Sequence, residues 1–340
     1  MKYLDNLKKL NENDVEFDLL NENIPIAVAN AFRRICLTEI IIPAIREKDI
    51  TVYENTSYLN NGILENRISL IPLNGYENYD NIIFKLIVEN KDDKIKDIMS
   101  SDIEFYKDGS KIDGTKYIPN QKILLNHLKK NEKINLEGVV HLSNDSNEEA
   151  NYCPVSTIVY SFKKDEKKVK EELDKITDPL KKADYEIRDA DRLYLQNKYD
   201  EPSVYQFSLE STGTFKPVDI FTKACNIIKE KLQTLKESIN TDDKNKVIID
   251  IANFNLKSYD FLIFDEDDTL GNILTSYLLK DERIKFAGYD IPHPLDNKLI
   301  VRTSLEKDNT KENNIKIMNE NIDNIHKIID EISEEWKKLF

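Results

Sequence analysis

Two segments with the same apolar spacing constrain this chain more than any other feature. Phe221, Cys225, Ile228, Leu232, Leu235 and Ile239 follow one another at intervals of 4, 3, 4, 3 and 4. Met318, Ile322, Ile325, Ile329, Ile332, Trp336 and Leu339 keep the same alternation, 4, 3, 4, 3, 4 and 3. A heptad of this kind makes a narrow apolar stripe along one side of a helix. Two amphipathic helices packed on separate cores would satisfy the spacing equally. Neither segment has much other apolar surface, so mutual packing is the sharper expectation.

A weak repeat surrounds the two heptads. In the first half a strand at Val15–Leu20 precedes a break at 21–23, where Asn23 is a candidate N-cap and Pro25 falls near the first helical turn. Ile24, Val28, Ala31, Phe32 and Ile35 then share one helical face, with Arg33 and Arg34 at its exposed edge. In the second half Asp268 or Thr269 would cap a helix lined by Leu270, Ile273, Leu274, Tyr277 and Leu278. Extended, proline-bearing segments follow in each half, at Pro43 and at Pro292 and Pro294. Two similar halves that pair helix to helix describe a pseudo-symmetric dimer within one chain. Residues 50–165 alternate short apolar runs with polar loops and read as an inserted mixed domain. Residues 163–200 are dense in charge, either a solvated helix or a surface excursion. Polar residues 240–248 form the junction between halves.

Composition narrows the function. At 340 residues there is room for two or three cores. A net charge of −14 argues against a large phosphate-gripping face, so any nucleic acid would be reached indirectly. No apolar run approaches a membrane span, and the first residues lack a signal-peptide core. Cys36, Cys153 and Cys225 form no CxxC pair, which disfavours a structural zinc site.

Candidate chemistry is sparse. FLIFDEDDTL (261–270) carries an apolar strand ending in D-x-D-x-T, as haloacid-dehalogenase-type phosphatases do. Asp265 would be the nucleophile and Asp267 the acid/base, with Mg²⁺ between them. That chemistry needs a parallel sheet and further downstream motifs, for which the remaining residues leave no room. An acidic helix cap is the simpler reading. His127, His141, His293 and His326 show no ligand spacing, and no glycine-rich phosphate loop occurs. The adjacent Arg33 and Arg34 are either a solvated face or a pair of guanidiniums for a partner's carboxylates and carbonyls.

The longer patterns add a resemblance. ANAFRRICLTEI (29–40), RISLIPL (67–73), NYCPVSTIVYSF (151–162) and FSLESTGTFKPVDIFTKA (207–224) resemble the third-largest subunit of multisubunit RNA polymerases. EDDTLGN, LLKDERIKFAGY and IPHPLDNKLIVR, within 266–302, resemble the eleventh-largest. Together these patterns are similar to the archaeal D and L subunits and to the bacterial alpha dimer, here on one chain, as in fusions of large DNA viruses. The resemblance implies an α+β fold of two alpha-like dimerisation modules paired through their heptad helices, with a mixed domain inserted in the first. The expected division is 1–48 with 200–240, the insertion 49–199, and the second module 241–340.

The family's pairs do not catalyse, so the resemblance implies no catalytic residues, no cofactor and no metal. It implies a platform for the second-largest and largest polymerase subunits, with small zinc-binding subunits nearby and no membrane. Arg33, Arg34, Glu39, Arg67, Leu70, Ile71 and Pro72 would face partners. Phe221, Cys225, Ile228, Leu232, Leu235, Thr269, Leu270, Ile273, Phe286, Tyr289, His293, Ile322, Ile325, Ile329, Ile332 and Trp336 would form the intramolecular contact. The FAGY segment and Pro292–Pro294 match the family's characteristic turn. The cysteine cluster that many third-subunit relatives carry in their inserted domain is missing here, so neither zinc nor an iron–sulfur cluster is carried over. A viral chain would act in the host cytoplasm or virion, otherwise in the nucleus. A metal-dependent phosphatase and a nucleic-acid adaptor remain the competing readings.

Overall fold

The computed structural model describes residues 2–20, 24–143, 151–198, 200–252, 258–293, 295 and 298–340. The chain opens with β1 (Leu4–Lys9), β2 (Asp14–Leu20) and α1 (Ile26–Thr38). Next come β3 (Ile42–Ala44), β4 (Ile50–Asn55), α2 (Asn61–Ser69), β5 (Ile82–Glu89), β6 (Lys96–Met99), β7 (Glu104–Lys107) and β8 (Ser110–Ile112). They are followed by β9 (Leu124–Leu128), β10 (Lys133–Val139), β11 (His141–Ser143) and β12 (Val155–Phe162). Helices α3 (Glu166–Lys175) and α4 (Pro179–Arg188) lead to β13 (Val204–Ser211) and the long α5 (Pro217–Thr241). The remainder is β14 (Val247–Ile251), β15 (Tyr259–Phe264), α6 (Asp268–Leu278), β16 (Ile284–Asp290), β17 (Lys298–Leu305) and α7 (Lys311–Leu339).

Two sheets share one topology. The first runs β1-β2-β13-β12 and the second β14-β15-β17-β16, both antiparallel throughout. In each, two strands lead to a short helix, two more strands return in reversed spatial order, and a long helix closes the unit. β13 shows why such segments become strands. Tyr205, Phe207 and Leu209 point into the core while Gln206 and Glu210 face solvent, the period-two pattern of a half-buried sheet. Strand Val155–Phe162 lies inside the range 49–199 assigned to the insertion, yet it pairs along its length with β13 in the first sheet. Its backbone groups need a ladder partner, and β13 otherwise has a free edge there.

The charge-dense segment between β12 and β13 folds into α3 and α4, with Asp165 and Asp178 as side-chain N-caps. Only Val169 of these two helices is buried, because their composition offers little else to bury. The insertion proper has its own core, built from β4-β10-β5-β7-β8 with Ile45, Leu64, Ile68, Phe84, Phe105 and Leu136. Its ties to the first module include the following contacts. Asn151 Nδ2 donates to the carbonyls of Ile45 and Ser69 at 2.6 and 3.1 Å. Gly75 N–H donates to the Thr214 carbonyl, and a Cβ at Gly75 would lie 2.4 Å from the Phe215 ring, so only glycine allows that approach.

The first core is continuous across both modules. α5 and α7 lie antiparallel, as the cross-helix pairs Lys229–Asp330 and Lys236–Asp323 and the Asn240–Asn319 bond require. Trp336 packs tilted against Phe221 at 4.6 Å and edge-on against Phe17 at 4.8 Å and donates its indole N–H to the Val218 carbonyl. The mutual-packing reading of the heptads is therefore the one realised. Leu339, the last heptad position, is the exception and lies 38 % exposed.

Three local expectations differ. The cap of α6 is Asp267, one residue before the expected position, its carboxylate accepting from Thr269 N–H. The FAGY segment is strand β16 and no turn, since its backbone completes the ladder with β17. The α1 cap is Pro25, while Asn23 lies outside the described residues.

Replacing Ile325 and Ile329 with Asp places carboxylates at positions with no solvent access. Each should cost at least about 3 kcal/mol. Loss of a single cooperative thermal transition is expected, and an unaltered melting curve would show that the helix pair does not hold the modules.

Candidate functional site

The modules meet along a seam made by α1 against α6 and by α5 against α7. Its apolar floor is that expected. Phe221, Cys225, Ile228, Leu232, Leu235, Leu270, Ile273, Ile322, Ile325, Ile329, Ile332 and Trp336 are all buried, and Thr269 joins them. α6 fits because residue 271 is glycine. A Cβ there would sit 2.7 Å from Leu299 and 2.8 Å from the Tyr289 ring. Tyr289 is thereby placed half-buried against α6. Phe286 and His293 do not belong to the seam. Phe286 is 50 % exposed on the edge strand, and the exposed His293 only accepts from the Leu295 N–H. Pro294 of the same motif lies outside the described residues.

A polar rim runs along one side. Arg34 Nη2 donates to Asp267 Oδ2 at 2.7 Å and its Nε to Thr269 Oγ1 at 2.8 Å. Lys231 Nζ lies 2.8 Å from Glu266 and 3.0 Å from Glu39, all three mostly buried. Burial opposes the charge on Lys231, but the carboxylates of Glu266 and Glu39 outweigh it and hold the ammonium above its ordinary range. Burial pushes the Glu266 carboxyl up, offset in part by Lys231. Burial works the same way on Asp267, yet the Thr269 hydroxyl and N–H and the Arg34 guanidinium prevail and draw its pKa down.

Among the partner-facing candidates, Arg34 and Glu39 are therefore turned inward. Successive residues on a helix point about 100° apart, so Arg33 and Arg34 cannot share a surface. Arg33 instead bonds Asn30 on its own helix. Arg67 donates to the carbonyls of Leu124 and Leu125 inside the insertion. Ile71 is buried in the insertion's core. Leu70, 58 % exposed, and the half-buried Pro72 face outward along a cleft of about 410 Å³ that Pro43, Asn151 and Cys153 also line. Ile41 and Leu142 extend this apolar face at 59 % and 57 % exposure. Leu142 stands opposite Pro43 in the β3–β11 pair.

Sequence reasoning missed Lys231 and Glu266. The signal was present, for Lys231 directly precedes a heptad position and must flank the stripe, but a lysine there is usually solvated.

The phosphatase geometry fails at its scaffold. β15 runs antiparallel to both neighbours. Asp265, at φ +60°, pairs with Lys246, and Asp267 is committed to its cap and to Arg34. Burial raises the Cys36 thiol far above its usual range and Cys225 to about 12, so both stay protonated. Among the described residues no three His, Cys, Asp or Glu side chains gather as a metal site would require, and no helix is long and apolar enough to cross a membrane.

Comparison with known proteins adds a family. The description RNA polymerase Rpb3/Rpb11 dimerisation domain matches twice, over residues 18–232 and over residues 258–335. A Caenorhabditis elegans protein, probable DNA-directed RNA polymerase II subunit RPB11, is 48 % identical over 50 residues, 15 % of this chain and 41 % of that one. The putative DNA directed RNA polymerase subunit R470 of Acanthamoeba polyphaga mimivirus is 28 % identical over 136 residues, 39 % of this chain and 35 % of that one. The human DNA-directed RNA polymerases I and III subunit RPAC1 is 44 % identical over 64 residues, 19 % of this chain and 17 % of that one. The chain thus spans less than half the length of these relatives.

The Asp267 carboxyl has a folded pKa below its ordinary 3.8. Its contribution to stability is complete above that value and is lost as pH falls through the depressed one. Glu266 has the opposite sign, since protonation relieves its burial. Wild type should therefore lose denaturant stability more steeply than Asp267→Asn below about pH 4, as the pH falls through the depressed value. Parallel profiles would mean that Asp267 is not held by Arg34 and Thr269.

Proposed function

Because the chain belongs to the RNA polymerase Rpb3/Rpb11 dimerisation family over most of its length, we propose that it is a non-catalytic assembly subunit of a DNA-directed RNA polymerase. The observation that carries this reading is the pair of identically ordered sheets mated through α1–α6 and α5–α7 on a single polypeptide. The mimivirus relative supports a fusion of viral type. Residues 242–246 are all that separates α5 from β14, so the tether makes pairing intramolecular. Its effective concentration is on the order of mM or above. Stoichiometry between the halves is then one to one by construction.

The partners we infer are the second-largest and largest polymerase subunits, with small zinc-binding subunits beside them. The face formed by Ile41, Leu70, Pro72 and Leu142 supports this, being apolar, exposed and shaped by two tied domains. With net charge −14, DNA is met only through the complex. We infer action in the host cytoplasm or virion for a viral chain and in the nucleus otherwise. The division into a split first module, an insertion and a second module is proposed as the working unit, with β12 counted in the first.

The test is affinity purification of the tagged chain from its native source, with mass spectrometry and an assay of promoter-independent RNA synthesis. Two very large subunits in equal amount are expected. A lone monomer at physiological salt would overturn the reading. Leu70→Asp combined with Leu142→Asp should abolish the recovery of the large subunits. Both side chains are exposed, so the unfolding free energy should stay within about 0.5 kcal/mol of wild type.

A further inference from the structure

The rim of the seam carries interlocked ion pairs on one side of the pseudo-two-fold axis, and on the other an open cleft around Ile328 and Tyr277. The caps of the short helices, Pro25 and Asp267, occupy equivalent places. Counting from them, Arg34 of α1 corresponds to Ser276 of α6, and Glu266 corresponds to Ile24. The two heptads are likewise in register, so Lys231, three residues after Ile228, corresponds to Ile328, three residues after Ile325. The first module therefore brings two cations, Arg34 and Lys231, to places where the second has Ser276 and Ile328. The second brings two acids, Glu266 and Asp267, where the first has Ile24 and Pro25. Ile24 is fully buried and Ile328 nearly so.

We propose that the quartet Arg34, Lys231, Glu266 and Asp267 is a pairing code that admits only the unlike module across the seam. Two copies of the second module joined in the same geometry would set Ile328 in place of Lys231 beside Glu266 and Ser276 in place of Arg34 beside Asp267, removing the ion-pair partner of each. Two copies of the first would set Arg34 against Pro25 and Ala27, with no acceptor side chain. An unpaired buried charge costs far more than a matched pair returns, so the mismatch decides the outcome. The Lys231–Glu266 pair carries most of the discrimination, because both side chains are about 80 % buried while the Arg34–Asp267 pair is roughly 40 % exposed; Glu39 belongs to the same module as Lys231 and stays beside it in any pairing. The inference stands on the intramolecular seam alone, and the polymerase reading can fail without it.

The test uses full-length chains. One variant reverses the first module, Arg34→Asp with Lys231→Glu. A second reverses the other, Glu266→Lys with Asp267→Arg. A third combines all four. Each half-reversal should lower the folding equilibrium constant roughly a hundredfold in denaturant titration, and the fourfold swap should recover most of that loss. Mixed at equal amounts, the two half-reversed chains should form a one-to-one complex by sedimentation, since each supplies the module the other lacks. A flexible insertion after Asn245, present in both chains, gives the tether the reach for this exchange. Recovery in the fourfold swap together with complex formation supports the code. A fourfold swap no better than the half-reversals, or half-reversed chains that stay apart on mixing, overturns it.

Discussion

Antiparallel packing of α5 on α7 is the interaction on which the rest of the molecule depends. Neither helix could remain in water alone with its stripe uncovered, and neither sheet could close its inner face without a long helix laid across it. The helix pair meets both needs at once. Trp336 shows the economy of the arrangement, for one side chain touches Phe221 of the opposite helix, Phe17 of the first sheet and, through its N–H, the Val218 carbonyl. Glu335 and Glu331 add the return contact, accepting from the Tyr3 and Leu4 N–H groups and the Tyr3 hydroxyl. The result is one core where two similar modules would otherwise each have an incomplete one.

Apolar burial holds the modules together but does not choose between them. Both heptads use the same spacing and similar side chains, so a stripe alone would tolerate like pairs. The polar rim supplies the difference. Its cost is visible in the directions of titration: Glu266 is pushed up by burial, while burial opposes the charge on Lys231 and two carboxylates outweigh it. Charges held in such a place are weak contributors to stability and strong arbiters of register, as expected for buried ion pairs with defined partners.

The common topology also explains where extra chain was tolerated. The insertion leaves after α1 and returns at β12, and the α3–α4 excursion joins β12 to β13, both at ends of elements where no ladder is interrupted. The insertion is then fastened by Asn151 and by the Gly75–Phe215 approach. Its exposed apolar residues Leu70 and Leu142 lie beside the first module.

Much of this was legible in the residues. The heptads, the alternation of β13, the helical faces of α1 and α6 and the acidic cap are local periodicities, and local periodicity is what backbone geometry makes sequence display. The order of motifs likewise carried the family. Direction was not legible: Arg33 and Arg34 are neighbours in sequence, and only the position of α6 decides that Arg34 crosses the seam while Arg33 stays on its own helix. Phe286 and His293 sit in a motif tied by resemblance to the dimer contact, yet β16 is an edge strand and leaves them in solvent. Strand β12 looked like part of the insertion because sequence distance, and not pairing, set the boundary. Periodicity in the residues marked the two heptad helices, α1, α6 and β13 and the apolar face of each, but it misread the FAGY strand as a turn and left residues 163–200 open. Which charged groups meet across that seam was settled by the tertiary structure, because contacts such as Arg34–Asp267 join distant residues and depend on how two finished surfaces are laid together.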